Sequence, residues 1–285
     1  MTYTTLISVD HLLAALHSAT PPVVLDCGFE LTDGDAGQRA YDAGHIPGAF
    51  YVHLDHTLSG AKTGRNGRHP LPEKERFAQA MAALGLHNDT QVVAYDNAGG
   101  MYAARLWWML RWAGHAAVAV LDGGLAAWKA AGHALQSQAP PAPAPGAFTL
   151  RAPPVRTVDY DAVKANIDTR QRLVLDARAP DRFRGENETL DAIGGHIPGA
   201  RNRLFRDNLA ADGRFKPAVQ LRQAFDAVTG GRAAAEVIHQ CGSGVTACHN
   251  LLAMEVAGLP GAALYPGSWS EWSAQPGAPI ATGAD

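Results

Sequence analysis

The sequence predicts an α/β protein in which one domain, a mainly parallel sheet flanked by helices, occurs twice in tandem. Three observations carry this. Short apolar runs such as Val23-Val24-Leu25-Asp26 and Leu173-Val174-Leu175-Asp176 alternate with stretches of helical periodicity, the pattern of strands buried on both faces. The hexapeptide Gly44-His45-Ile46-Pro47-Gly48-Ala49 returns letter for letter at Gly195-His196-Ile197-Pro198-Gly199-Ala200, about 150 residues later. A period of that length is a duplicated domain and not a solenoid. Thirdly, Cys241-Gly242-Ser243-Gly244-Val245-Thr246 lies between an apolar, β-branched run and a helical stretch, so a cysteine sits where a strand turns into a helix.

Taken in order, Val9 to Leu16 reads as a short helix capped by Ser8 or Asp10, and Val23 to Asp26 as a strand ending in an acid. The turn at 44–49 follows, then a polar loop from Gly60 to Arg68, a helix from about Glu73 to Leu84, and the strand Val92-Val93-Ala94-Tyr95-Asp96. A long helix carries Arg105-Leu106-Trp107-Trp108, and the strand Ala117 to Leu121 leads into Asp122-Gly123-Gly124 and Trp128. Prolines 140, 141, 143, 145, 153 and 154 then mark an extended, semi-rigid segment. After it the order repeats: Leu173 to Asp176, the second hexapeptide, the strand Val237-Ile238-His239-Gln240, then Gly267 and Trp272. The expected division is a first domain at 1–137, a linker at 138–154 and a second domain at 155–285. The register sets Cys241 opposite Asp96, so one copy is expected to be catalytic and the other a scaffold.

Composition limits the function. The 285 residues carry 24 basic and 27 acidic side chains, a net charge of −3, with 18% charged and 47% hydrophobic residues, the profile of a globular protein. Nothing global attracts nucleic acid or an anionic membrane, so an anionic ligand must be met by local cations. No apolar run approaches a membrane span and the start lacks a charged-then-apolar leader, which makes the cytoplasm the expected compartment. Three cysteines, 27, 241 and 248, are too few and odd in number for a disulfide framework. No Cys or His pair has metal-ligand spacing, apart from the adjacent Cys248-His249, so no metal is expected.

The chemistry concentrates on Cys241. Two glycines in its loop let successive N–H groups point inward as an anion nest, and the following helix adds its positive end. Such settings lower a cysteine pKa from about 8.5 into roughly the 3.5–7.5 range. The bland alternative is a small packing cysteine at a strand end, which has no need of glycines on both sides of a serine. Cys248, two helical turns on, is too far for a disulfide, some 10 Å by helix rise. For a cation, Arg178, Arg182 and Arg184 lie just past the strand ending at Asp176. His45 and His196 fall in turns where glycine and proline fix the geometry, and the tryptophans read as packing residues. A cysteine phosphatase would place an arginine after five intervening residues; here that position is Ala247.

The doubled Leu-Asp strand, the two Gly-His-Ile-Pro-Gly-Ala turns, the Cys-Gly-Ser-Gly-Val-Thr loop and the Gly-Ser-Trp-x-Glu-Trp ending resemble the tandem-domain rhodanese family, and the loop resembles its 3-mercaptopyruvate sulfurtransferase branch. The resemblance spans nearly the whole chain. It implies a sulfurtransferase without metal or organic cofactor, in which Cys241 takes a sulfane sulfur from a small-molecule donor and passes it as a persulfide to thioredoxin, another thiol or cyanide. It further implies that the backbone of Gly242, Gly244, Val245 and Thr246 surrounds the outer sulfur. By the same carry-over Arg182, with Arg178 second, holds the donor carboxylate, and Ser243 is linked to His69 and Asp55. The chain departs from the branch where some members carry a second arginine: here the residues before the second hexapeptide are Thr189-Leu190-Asp191-Ala192. Alternatives are a thiosulfate sulfurtransferase, whose loop carries a basic pair where Gly242-Ser243 stands, and a non-enzymatic module, which retention of Cys241 disfavours.

Overall fold

A computed structural model describes residues 2–284. The chain divides into two compact units, the first formed by residues 1–60, 72–154 and 211–214, the second by residues 61–71, 155–210 and 215–285. The strip Ala61–Leu71, read from sequence as a loop of the first domain, thus clusters with the second unit. The proline-rich segment belongs with the first unit and is pinned to it. Gly146 N–H donates to the Ala82 carbonyl (2.8 Å), Arg151 N–H to that of Ala113 (3.0 Å), and Phe148 is buried.

In the first unit the order is β1 (Leu6–Ile7), α1 (Val9–Leu16), β2 (Val23–Asp26), α2 (Ala36–Ala43), β3 (Phe50–Tyr51), α3 (Lys74–Ala83), β4 (Val92–Tyr95), α4 (Met101–Trp112), β5 (Val118–Leu121) and α5 (Gly124–Ala130). The second runs β6 (Arg156–Thr157), α6 (Tyr160–Thr169), β7 (Leu173–Asp176), α7 (Pro180–Arg184), β8 (Arg201–Asn202), α8 (Ala218–Thr229), β9 (Val237–Gln240), α9 (Thr246–Val256), β10 (Ala263–Leu264) and α10 (Ser268–Trp272). Each unit holds a five-stranded, wholly parallel sheet, ordered β1-β5-β4-β2-β3 and β6-β10-β9-β7-β8. The permutation is the same in both, which is the duplication seen in three dimensions.

Burial explains the strand sequences. Every residue of β4, β5, β7 and β9 is buried, as parallel strands covered by helices on both faces require. An apolar cluster in the first unit includes Trp128 and Tyr95, and one in the second includes Trp269, Trp272 and Tyr265. Ser8 is the cap of α1, its Oγ accepting from His11 N–H (3.2 Å), and Asp10 falls in the first turn. The repeated turn has one architecture twice. His45 Nδ1 donates to the Tyr41 carbonyl (2.8 Å) and stacks on Tyr41 at 3.8 Å; His196 Nδ1 donates to that of Phe183 (2.9 Å) and stacks on Phe183 at 3.8 Å. Both histidines are packing groups.

One core residue predicts a pH response. His239 on β9 is fully buried, its Nε2 lies 2.9 Å from Met254 Sδ, and its Nδ1 has no hydrogen-bond partner. Burial pushes its pKa down to about 3. A group depressed in the folded state binds protons more readily when unfolded, so its contribution is whole above the unfolded value near 6.5 and drains away as pH falls toward 3. Going from about pH 6.5 to about pH 5 should therefore cost about 2 kcal/mol through this group. Urea unfolding across that range should give a flatter profile for His239→Leu by that amount; parallel profiles would assign the acid sensitivity elsewhere.

Candidate functional site

The site is built at the carboxyl end of β9, a central strand of the second sheet, where ligands of open α/β sheets gather. Cys241 is 2% exposed and its backbone is held on both sides: its N–H donates to Ser268 Oγ (3.1 Å) and its carbonyl accepts from Trp269 N–H (2.9 Å). The sulfur accepts from Gly244 N–H at 3.1 Å, just ahead of the α9 N-terminus. Gly244 has φ +76°, and a Cβ there would fall 2.4 Å from the Pro266 carbonyl oxygen, so both conformation and space demand glycine. A strand, an inward N–H and a helix start thus converge on one sulfur.

The first unit performs the same fold on a different atom. Asp96 occupies the corresponding position at the end of β4, and its carboxylate accepts from the N–H groups of Ala98 (2.8 Å), Gly100 (2.8 Å), Tyr102 (2.8 Å) and Ala103 (3.0 Å). The loop shape is an anion receptor in both copies; in the first, the chain supplies its own anion.

Ser243 is buried, and its Oγ lies 2.7 Å from Nδ1 of the buried His69, within the second unit. The strip carrying His69 is tied down by Arg68 N–H donating to Ser270 Oγ (2.9 Å), while Ser270 N–H donates to the Gly242 carbonyl (2.9 Å). Asp55 lies in the first unit, where its N–H donates to His53 Nδ1 (3.0 Å).

Arg182, on α7, is 19% exposed at its side chain and is gripped by Glu188, whose carboxylate accepts from Nε and Nη2 at 2.7–3.2 Å. Its Nη1 lies 3.8 Å from where a Cβ on Gly242 would sit. Arg68 is a residue that the sequence reading passed over. Its Nη1 donates to Asp191 Oδ1 (2.6 Å), and its Nη2 lies 3.0 Å from the same Gly242 point. Two guanidinium groups therefore stand over the loop glycine beside Cys241, closer than a reading with one arginine at a distance expects. The only signal for Arg68 in the sequence is its place immediately before His69. The absence of an arginine at 189–192 is met here by Asp191, which holds an arginine brought in from another segment.

Arg178 is the correction. It is 3% exposed; its Nε and Nη2 bind Asp176 (2.7–3.1 Å), Nη2 also donates to the Gly195 carbonyl (2.6 Å), and its guanidinium lies over the Trp269 ring at 4.6 Å. Burial works against its charge, but Asp176 holds its pKa above the usual arginine value. With its donors engaged inward it is a structural cation and not a ligand for a carboxylate. Arg184 turns outward onto Glu186. Burial raises the Asp191 carboxyl, partly offset by Arg68; burial also acts to raise Glu188, but Arg182 and the N–H groups of Leu190 and Asp191 hold it below the usual value. The other cysteines are placed otherwise. Burial, and then Asp26 and Asp96, push the Cys27 thiol well up, and the buried Cys248 Sγ donates to the Gly244 carbonyl (3.2 Å). Among the described residues no three His, Cys, Asp or Glu side chains cluster as metal ligands, and no helix is long and apolar enough to cross a membrane.

A duplicated parallel α/β unit whose second copy carries a cysteine loop at the end of a central strand defines the class of tandem α/β proteins with a cysteine loop. The Rhodanese-like domain family matches residues 8–131 and 159–275, and the chain belongs to that family. It is 48% identical over 95% of its length to the probable 3-mercaptopyruvate sulfurtransferase of Pseudomonas aeruginosa, covering 96% of that protein. It is 37% identical to human 3-mercaptopyruvate sulfurtransferase (91% of this chain, 88% of that one) and 36% identical to bovine thiosulfate sulfurtransferase (87% and 84%). Among solved structures it resembles the 3-mercaptopyruvate sulfurtransferase of Leishmania major (TM-score 0.82, 30% identity, 95% of this chain and 74% of that one). It also resembles the 3-mercaptopyruvate sulfotransferase SseA of Escherichia coli (TM-score 0.79, 31% identity, 94% and 99%). Both kinds of sulfurtransferase are thus among its curated relatives.

Proposed function

We propose that this chain is a 3-mercaptopyruvate sulfurtransferase working through a Cys241 persulfide. The observation that carries the reading is the Ser243–His69 pair, 2.7 Å apart, in the loop that carries the nucleophile. In the first half-reaction the Cys241 thiolate attacks the donor's sulfur. An S–S bond forms, the C–S bond breaks, and its electron pair passes into the adjacent ketone as an enolate. The thiol proton of the donor ends on carbon, so that pyruvate leaves and Cys241 holds a persulfide anion. Ser243 Oγ is suited to donate a hydrogen bond to the developing enolate oxygen, and His69 to exchange the proton with it. By the family resemblance Asp55 is the third member of this group. Arg182 and Arg68 hold the carboxylate through charge-assisted hydrogen bonds. The N–H groups of Gly242, Gly244, Val245 and Thr246 surround the outer sulfur, as the Asp96 carboxylate is surrounded in the first unit.

In the second half-reaction an acceptor thiol attacks the outer sulfur, takes it with the proton, and releases the Cys241 thiolate. Thioredoxin, a small thiol or cyanide can fill this role, in the cytoplasm. Atoms and electrons balance without a metal or organic cofactor. The second reading, thiosulfate as donor, has one observation in its favour: two guanidinium groups near Gly242 supply cations close to the nucleophile. Side-by-side steady-state rates decide. Mercaptopyruvate should give the higher kcat/KM, by about tenfold, the scale of one close charge interaction; a preference for thiosulfate would select the second reading.

A further inference from the structure

Glu188 and Asp191 lie on the loop ahead of the second hexapeptide, and neither is given a role by the sulfur chemistry above. Both are buried at the side chain, 4% and 7% exposed, and each is paired with an arginine that faces the loop glycine. Glu188 holds Arg182 through Nε and Nη2, and Asp191 holds Arg68 through Nη1 with a longer contact of 3.4 Å to Arg182 Nη2. The atoms left over point to the nucleophile's side. Both Arg182 terminal nitrogens, Nη2 at 3.7 Å and Nη1 at 3.8 Å, and Arg68 Nη2 at 3.0 Å lie near the Gly242 point; Nη2 of Arg182 is engaged by Glu188 and Asp191, while Arg182 Nη1 and Arg68 Nη2 are not engaged by these acids. Behind them Arg178 is matched by Asp176 at 2.7 Å. Three guanidinium groups thus meet three carboxylates, and a bound ligand finds hydrogen-bond donors without net positive charge.

We propose that Glu188 and Asp191 set the sulfur-donor preference by cancelling the charge of Arg182 and Arg68, so that a monoanionic donor is accepted over a dianionic one. This rests on the sulfurtransferase reading and deepens it. A neutral array of N–H groups binds a carboxylate by hydrogen bonding. A dianion such as thiosulfate, which surrenders more hydration on entry, needs net positive charge to compensate. Removing one carboxylate charge adds Coulomb attraction that a dianion feels twice as strongly as a monoanion. The two acids are positioning residues with an electrostatic effect, and they touch the arginines rather than the reacting atoms.

The test compares Glu188→Gln and Asp191→Asn, which keep shape and hydrogen-bonding capacity, with wild type. Each should raise the thiosulfate-to-mercaptopyruvate ratio of kcat/KM about tenfold. Calorimetric titration in mildly alkaline buffer with the two products, dianionic sulfite and monoanionic pyruvate, should shift in favour of sulfite by a similar factor. Glu186→Gln, on the outward Arg184, should leave both ratios at the wild-type value. Ratios unchanged in both acid variants, or moved toward mercaptopyruvate and pyruvate, overturn the proposal. The product titration reads the charge effect without turnover, so a wild type that forms no persulfide with either donor would overturn the sulfurtransferase reading alone.

Discussion

Cys241→Ser is expected to abolish sulfur transfer, by at least about a thousandfold as for removal of other covalent nucleophiles, while Cys27→Ser and Cys248→Ser keep most of it. The difference is one of surroundings. Cys241 Sγ accepts an N–H at the start of a helix; burial, and then Asp26 and Asp96, push the Cys27 thiol well above the ordinary range; Cys248 Sγ donates to the Gly244 carbonyl. Intact-mass measurement gives the second half of the result. Wild type mixed with sulfur donor and no acceptor should gain one sulfur atom, and a thiol should remove it. The Cys241 variant should gain none. Transfer by that variant at near wild-type rate, or an unchanged mass of wild type under saturating sulfur donor, would end the persulfide mechanism.

Arg182→Ala should raise KM for mercaptopyruvate far more than Arg184→Ala, by about ten- to a hundredfold, the loss of a charge-assisted hydrogen bond worth about 1.5–3 kcal/mol. Arg184 is a third exposed and engaged with Glu186 away from the loop, so its removal should change KM little. Arg68→Ala should resemble Arg182→Ala. Since both guanidinium groups face Gly242, the double variant should fall short of the product of the two single effects. Equal KM values in the Arg182 and Arg184 variants would mean that the carboxylate is held elsewhere. The same geometry limits conversion of the loop to the thiosulfate type. A side chain on Gly242 starts 3.0 Å from Arg68 Nη2, so an Arg-Lys replacement of Gly242-Ser243 would crowd a third and fourth cation against two already there.

What could be read from sequence follows from which features are local. The long apolar strands, the repeated hexapeptide and the cysteine loop are written in consecutive residues, and the structure has them where the letters fall. The two-residue strands β1, β3, β6, β8 and β10 carry no period to read; β1, β3, β8 and β10 each lie beside a four-residue strand, and β6 pairs with β10 at the sheet edge. Ser243 and His69 were paired only through family resemblance, since 174 residues separate them and the contact depends on residues 61–71 clustering with the second unit. Arg68 was missed for the same reason. Arg178 shows the opposite error: three arginines in seven residues look alike as letters, yet one is turned into the core by the acid that ends its own strand.

The carboxylate of Asp96 has a consequence for how the molecule ages. A persulfide-forming sulfur is the most oxidisable group a protein can hold, and a duplicated loop could have offered a second target for peroxide or alkylating agents. The first copy keeps the receptor geometry but fills it with oxygen, an atom already at the end of the oxidation ladder, fixed by four N–H groups. Of the two matching loops, only the second therefore presents a sulfur to such reagents.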